Sequence, residues 1–161
     1  MRAMSPRLRQ LSFGGPAAIV TSVALIVGLN AAHSDRIAIV SSLVVLALAD
    51  NLTDALGLHI YQESERLPER EAFLTTVANF LTRLLVALSF VALSVLARPA
   101  ISASVAILWG LFLLSGLSYL LARARQVRPA VEIAKHCGVA LIVVALSAAL
   151  GAAIPALLGQ I

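Results

Sequence analysis

The chain has 161 residues, of which 60% are hydrophobic and only 12% charged, and its mean hydropathy is +0.97. A water-soluble domain is near half apolar and about a quarter charged, so this composition excludes an ordinary soluble fold and predicts an all-α polytopic membrane protein. The net charge of +4 does not indicate nucleic-acid binding, because the Lys and Arg residues sit in short segments flanking long apolar stretches.

The basic opening, MRAMSPRLRQ, resembles the start of a signal peptide, but the apolar run behind it is too long for a signal core and lacks a convincing small-residue cleavage site. It reads as a retained first span over about 13–32, with Gly15, Ser22 and Gly28 allowing close helix approach. The turn NAAHSDR follows. There His33 and Asp35 read as turn and capping residues, with Ser34 or Asp35 as N-cap of the next helix.

The second span covers about 37–60 and holds the stretch on which function turns, IVSSLVVLALADNLTDALGLHIYQESE. Asp50, Asn51 and Asp54 lie inside its apolar run. A carboxylate in a spanning helix costs a few kcal/mol or more and marks a pathway or a partner. At about 100° per residue, Asp50 and Asp54 are roughly 40° apart and one turn along, and Tyr61 and Glu65 continue their face. The charged loop QESERLPEREA reads as an extension of this helix, then a turn with Pro68 at the next helix start.

The third span runs over about 72–97 and carries Asn79 and Arg83; the fourth, about 100–122, carries Trp109 and Tyr119. The fifth covers about 131–158, with Ser147 and Gly151 spaced for close packing. Cys137 is the single cysteine, which rules out an intramolecular disulfide and a cysteine metal cluster, and it reads as a small packed hydrophobe. Short connections make neighbouring helices antiparallel, so 1–161 is expected to form one five-helix domain.

Charge sets the expected orientation. The N-terminal tail and the second–third and fourth–fifth loops hold Arg2, Arg7, Arg9, Arg66, Arg70, Arg123, Arg125, Arg128 and Lys135; the other side holds Arg36 and Arg98. The positive-inside rule predicts a cytoplasmic N-terminus in a multi-pass protein of the cell inner (plasma) membrane.

Measured from inner boundaries near Ile60 and Phe73, Asp50 and Arg83 are each about ten residues deep and Asp54 and Asn79 about six, or roughly 15 and 9 Å. That register predicts Asp50–Arg83 and Asp54–Asn79 as facing pairs, with Asn51 in the same polar set. Two readings stay open: an ion pair that holds two helices together, or an ion or proton pathway through Asp50, Asn51, Asp54, Asn79 and Arg83. Because the fixed charge of Arg83 repels cations, Asp54 is the better metal ligand of the two carboxylates. His59 and Glu63 supply further candidate ligands for Fe²⁺, Mn²⁺ or Zn²⁺ at the inner mouth, near Glu65, Lys135 and His136. His59 lies about 180° from Asp50 on a straight helix, so those two cannot share a ligand set. An enzyme is not expected: the serines sit in apolar spans without a convincing base, and no phosphate-binding glycine loop occurs.

The order of segments resembles the vacuolar iron transporter family. GGPAAIVTSVALIVGLN is similar to that family's first span, and LADNLTDALGLHIYQESE to its second. Pro68 followed by EAFLTTVANFL is similar to its third-span entry, and RPAVEIAKHCGVALIVVALSAALGAAIP to its last span. The resemblance, to a short bacterial-type member, covers most of the chain. It implies a homodimer in the lipid bilayer that moves Fe²⁺ or Mn²⁺ out of the cytosol, often against protons, with no permanently bound cofactor. Departures accompany it. The family's first-span Asp falls at Gly14, its Ser-Met at Thr53 and Asp54, and its Gly-Glu-Tyr at Gly57, Leu58 and His59. The helical metal-binding domain that many members insert between spans two and three is absent. The two expectations are therefore a divalent-metal transporter and, as the alternative, a non-transporting scaffold or accessory protein with the same fold.

Overall fold

The computed structural model describes the backbone of residues 6–159 and the side chains of residues 14–159; Arg2 and the side chains of Arg7 and Arg9 lie outside what is described. The elements in order are α1 (Pro6–Ala31), α2 (Arg36–Val45), a π-helical turn (Leu46–Asp50), α3 (Asn51–Ser64), α4 (Glu69–Leu96), a 3₁₀ turn (Pro99–Ile101), α5 (Ser102–Arg125) and α6 (Pro129–Leu158). α2, the π turn and α3 run on as one rod, so five helices are long and apolar enough to cross a membrane. The expected span boundaries hold to within a few residues, and the second helix does extend through Ser64 before Pro68 leads into α4.

Local chemistry sets the ends. The Asp35 carboxylate accepts from the Ala38 N–H at 2.7 Å, which makes Asp35 the N-cap. His33, Arg66 and Gln126 reverse the chain in the left-handed region, at φ of 56°, 56° and 57°. Arg36 reaches across to donate to the carbonyls of Val95 (3.3 Å) and Ala97 (2.7 Å), tying the start of α2 to the end of α4. Those carbonyls have no partner within their own helix.

α1 is the axis of the bundle, packed against α4, α5 and α6. Of its 14–31 window, 44% is buried, against 11% for α6, so α6 presents most of its surface outward. The core gathers Ile19, Val23 and Ile26 of α1 with Leu43, Phe90 and Leu114. α1 and α6 meet through small residues: a Cβ on Gly28 would lie 3.3 Å from the Ser147 carbonyl, and one on Gly151 would run into the Gly28 carbonyl. The Ser147–Gly151 spacing seen in the sequence therefore serves α1.

The π turn was not foreseen from the sequence, though its reason is legible there. Ile39, Leu43, Ala47, Asn51 and Ala55 are all buried, at a strict spacing of four. On a regular α-helix that spacing drifts by about 40° per step. A turn with one extra residue absorbs drift, and such turns are frequent at functional sites. Here it keeps Asn51 facing the bundle and sets Asp50 at the bundle's edge.

Candidate functional site

The π turn delivers Asp50, and the first turn of α3 delivers Asn51 and Asp54, to the flank of α4 that carries Asn79 and Arg83. Arg83 is the centre of the group and is only 3% exposed. Its Nη2 donates to Asp50 Oδ2 at 2.6 Å, and its Nε donates to Asn51 Oδ1 at 2.8 Å. Nη1 lies 3.1 Å from Asp54 Oδ2 and 3.5 Å from the Gly14 carbonyl. The Asp54 contact is an ion pair without hydrogen-bond alignment, since Asp54 Oδ2 has no hydrogen-bond partner. The planar guanidinium fork is the side chain suited to gripping two carboxylates a turn apart.

The Asp50–Arg83 pair is the one expected from helix register. The Asp54–Asn79 pair is corrected: Asp54 turns to Arg83, while Asn79 is fully buried and neither of its amide atoms has a partner. The reason is reach and direction. Helical side chains lean towards the helix N-terminus, so the long Arg83 stem carries its guanidinium back to the depth of Asp54. Asn79 faces α1 instead. A Cβ on Gly14 would collide with Asn79 Oδ1 and lie 2.8 and 2.9 Å from Arg83 Cδ and Cγ. Gly14 is thus a close approach of α1 to α4, and the Arg83 stem and Asn79 fill the space that any side chain at 14 would need.

The two carboxylates are not enclosed. Asp50 and Asp54 are 43% and 36% exposed, while Asn51, Asn79 and Arg83 are buried behind them. They open on two grooves that share Asp50. One, of about 430 Å³, runs back along Ser41, Ser42, Val45, Leu46 and Ala49 against Leu25; the other, of about 240 Å³, runs forward along Thr53, Asp54, Gly57, Leu58 and Tyr61. Tyr61 therefore continues the acidic face as expected. Glu65 instead caps the end of α3 and is exposed.

The metal set read as Asp54, His59 and Glu63 is not assembled. His59 Nε2 approaches Glu63 Oε1 at 3.4 Å, and Asp54 is engaged by Arg83. Among the described residues no three His, Cys, Asp or Glu side chains converge as a metal site. Five residues of α-helix turn His59 about 140° from Asp54, so one ion cannot join them. The proposed inner-mouth cluster also disperses: Lys135 pairs with Glu132 at 3.2 Å, and His136 Nδ1 shares a 2.8 Å hydrogen bond with the Ser118 hydroxyl. Cys137 is free and lies 3.4 Å from the Ser115 hydroxyl.

The sequence placed Asn51 in the polar set without assigning it a partner, and the structure pairs it with Arg83; Gln62 went unread, and it is buried and accepts from the Thr76 hydroxyl at 3.3 Å. The helical spacing of Asn51, Ala55, Leu58 and Gln62 was the available signal for both. Compared with family models, curated proteins and solved structures, the chain matches none.

Proposed function

We propose that the chain is a multi-pass membrane transport protein, N-terminus in the cytoplasm, whose ion-handling part is the Asp50–Asn51–Asp54–Arg83 centre with Asn79 behind it. The observation that carries this reading is the placement of Asp50 and Asp54, half-exposed on open grooves of an apolar helix and backed by a buried guanidinium. A purely structural ion pair is better served by enclosing both partners, since exposure to lipid leaves each carboxylate poorly solvated. The π turn at Asp50 supports the same reading. The resemblance to the vacuolar iron transporter family nominates Fe²⁺ or Mn²⁺ as cargo, and a homodimer in which a second copy covers the open grooves.

The test is metal uptake into proteoliposomes carrying the purified protein, with Fe²⁺, Mn²⁺ and Zn²⁺, with and without a pH gradient. Flux that falls at least tenfold in Asp54→Ala is the expected result; flux unchanged by Asp54→Ala removes the centre from the pathway. A scaffold reading draws support from the way Arg83 stitches α1, α3 and α4 through Gly14, Asn51 and the two carboxylates. The exchange Asp50→Arg with Arg83→Asp separates the two. A scaffold tolerates it, and a transporter loses flux.

A further inference from the structure

Resting on the reading of the chain as membrane-spanning with its N-terminus in the cytoplasm, we infer that the α5–α6 turn is a docking surface for an anionic phospholipid of the inner leaflet, whose phosphate is held by Arg123 and Arg128. The two hairpin ends on that side differ in charge. The α5–α6 end carries Arg123, Arg125, Arg128 and Lys135 against Glu132, which leaves +3 with His136 neutral. The α3–α4 end carries Arg66 and Arg70 against Glu63, Glu65, Glu69 and Glu71, which leaves −2. Topology is set by Lys and Arg and is little affected by Asp and Glu, so it leaves this split unexplained. An anionic headgroup is drawn to the first end and repelled by the second.

The turn is short and held by its own backbone. Gln126 ends α5 in the left-handed region, where its N–H donates to the Arg123 carbonyl at 3.2 Å, and the Val127 N–H closes on the Ala122 carbonyl at 3.0 Å. Arg128 then leads into α6, with Pro129 at its first position. The basic side chains carried on this frame are not equally engaged. Glu132, largely covered, takes both Arg125 at 3.5 Å and Lys135 at 3.2 Å. Arg123 and Arg128 are exposed, and among the described residues neither guanidinium has an ion-pair or hydrogen-bond partner. A planar fork of donors matches the paired oxygens of a phosphate.

Depth and surroundings fit a headgroup. Tyr119 is exposed one turn, about 6 Å, before Arg123, and exposed tyrosines settle where acyl chains meet headgroups. On α6, Lys135 tops an exposed apolar line of Val139, Ile142 and Leu146 on one face of the helix. A line of that kind lies along acyl chains, and the long basic stem above it reaches up to the phosphate level. α6 is also the span least covered by the rest of the bundle. On the opposite side of the membrane, by contrast, Arg36 is spent on the Val95 and Ala97 carbonyls. The competing occupant of the turn is the acidic α3–α4 end of a second copy. It matches the charge but not the apolar line beneath it, whereas a phospholipid matches both.

The experiment is native mass spectrometry of the full-length protein released from detergent, offered phosphatidylglycerol and phosphatidylcholine of equal chain length and concentration. A basic residue near an anionic headgroup is worth roughly fivefold in affinity, so two free arginines predict a wild-type preference for phosphatidylglycerol of roughly 25-fold. Arg123→Gln with Arg128→Gln should bring the two lipids close to parity. Glu132→Gln frees Arg125 and Lys135 and should raise the preference about fivefold, a gain that misfolding does not produce. Arg66→Gln with Arg70→Gln, on the other hairpin, should leave it unchanged. Equal retention of the two lipids by wild type, a preference that survives in the Arg123/Arg128 variant, or an equal loss in the Arg66/Arg70 variant overturns the inference. Displacement of the lipid by an equal concentration of inorganic phosphate overturns it in favour of a free anion. A dimer that dissociates in the Arg123/Arg128 variant, with no lipid selected, overturns it in favour of the second copy. Selection is read in detergent and is independent of flux. Selection without Mn²⁺ flux in proteoliposomes therefore defeats the transport reading alone, and flux without selection defeats the lipid site alone.

Discussion

Replacing Arg83 by Lys keeps the charge and removes the fork, which isolates what the geometry contributes. Arg83 makes three side-chain contacts that one ammonium cannot hold together: Asp50 at 2.6 Å, Asn51 at 2.8 Å and Asp54 at 3.1 Å. Losing the bond to buried Asn51 costs about 1.5 kcal/mol, the lower end for a charged hydrogen bond. The second carboxylate contact adds no more than about 0.5 kcal/mol, because it is a 3.1 Å ion pair without hydrogen-bond alignment to a carboxylate that is 36% exposed. The sum, about 2 kcal/mol, lowers the unfolding temperature by roughly 4–8 °C for a chain of this length. Arg83→Leu removes the charge as well and leaves both carboxylates uncompensated, for about 4 kcal/mol. The emission of Trp109, the single tryptophan, held at the α4–α5 contact by its 3.0 Å hydrogen bond to Ser89, reports unfolding in detergent. The ordering wild type, Lys, Leu is expected, with partial recovery of Arg83→Leu when Asp50→Asn and Asp54→Asn are added. A Leu variant as stable as the Lys variant, or no recovery in the triple variant, refutes the idea that Arg83 is there to balance these two carboxylates.

Other substitutions probe the supports of the site. Gly14→Ala forces a methyl against Asn79 and the Arg83 stem and should lower stability by about 1–3 kcal/mol, whereas Gly116→Ala, which meets nothing within 4 Å, should be neutral or raise it by up to about 1 kcal/mol in the same thermal melts. Asn79→Leu removes an unsatisfied buried amide, so it should melt about 2–4 °C higher while transport in proteoliposomes falls, and unchanged flux would deny Asn79 a role. Asp35→Ala deletes the cap of α2 and should cost about 1 kcal/mol, read by the same melt without effect on flux.

Much of the fold lies in one dimension and can be read there. Run length and hydropathy define five apolar helices. Asp35 and Pro68 mark their starts, and equal depth along antiparallel neighbours is enough to pair Asp50 with Arg83. Only the tertiary structure decides what depends on rotation about each helix axis and on the reach of side chains between helices. The π turn resets the face of the second rod, so that Asn51 points inward and joins Arg83. The length and lean of Arg83 let it take Asp54 away from Asn79, and the closeness of α1 at Gly14 leaves Asn79 without a partner. The separation of His59 from Asp54 is a matter of angle, so residues five apart in sequence never met as ligands. Sequence determines which groups enter the bundle and how deep. Packing distances of a few ångströms across three helices determine which of them touch, and the chemistry of the site follows from that contact.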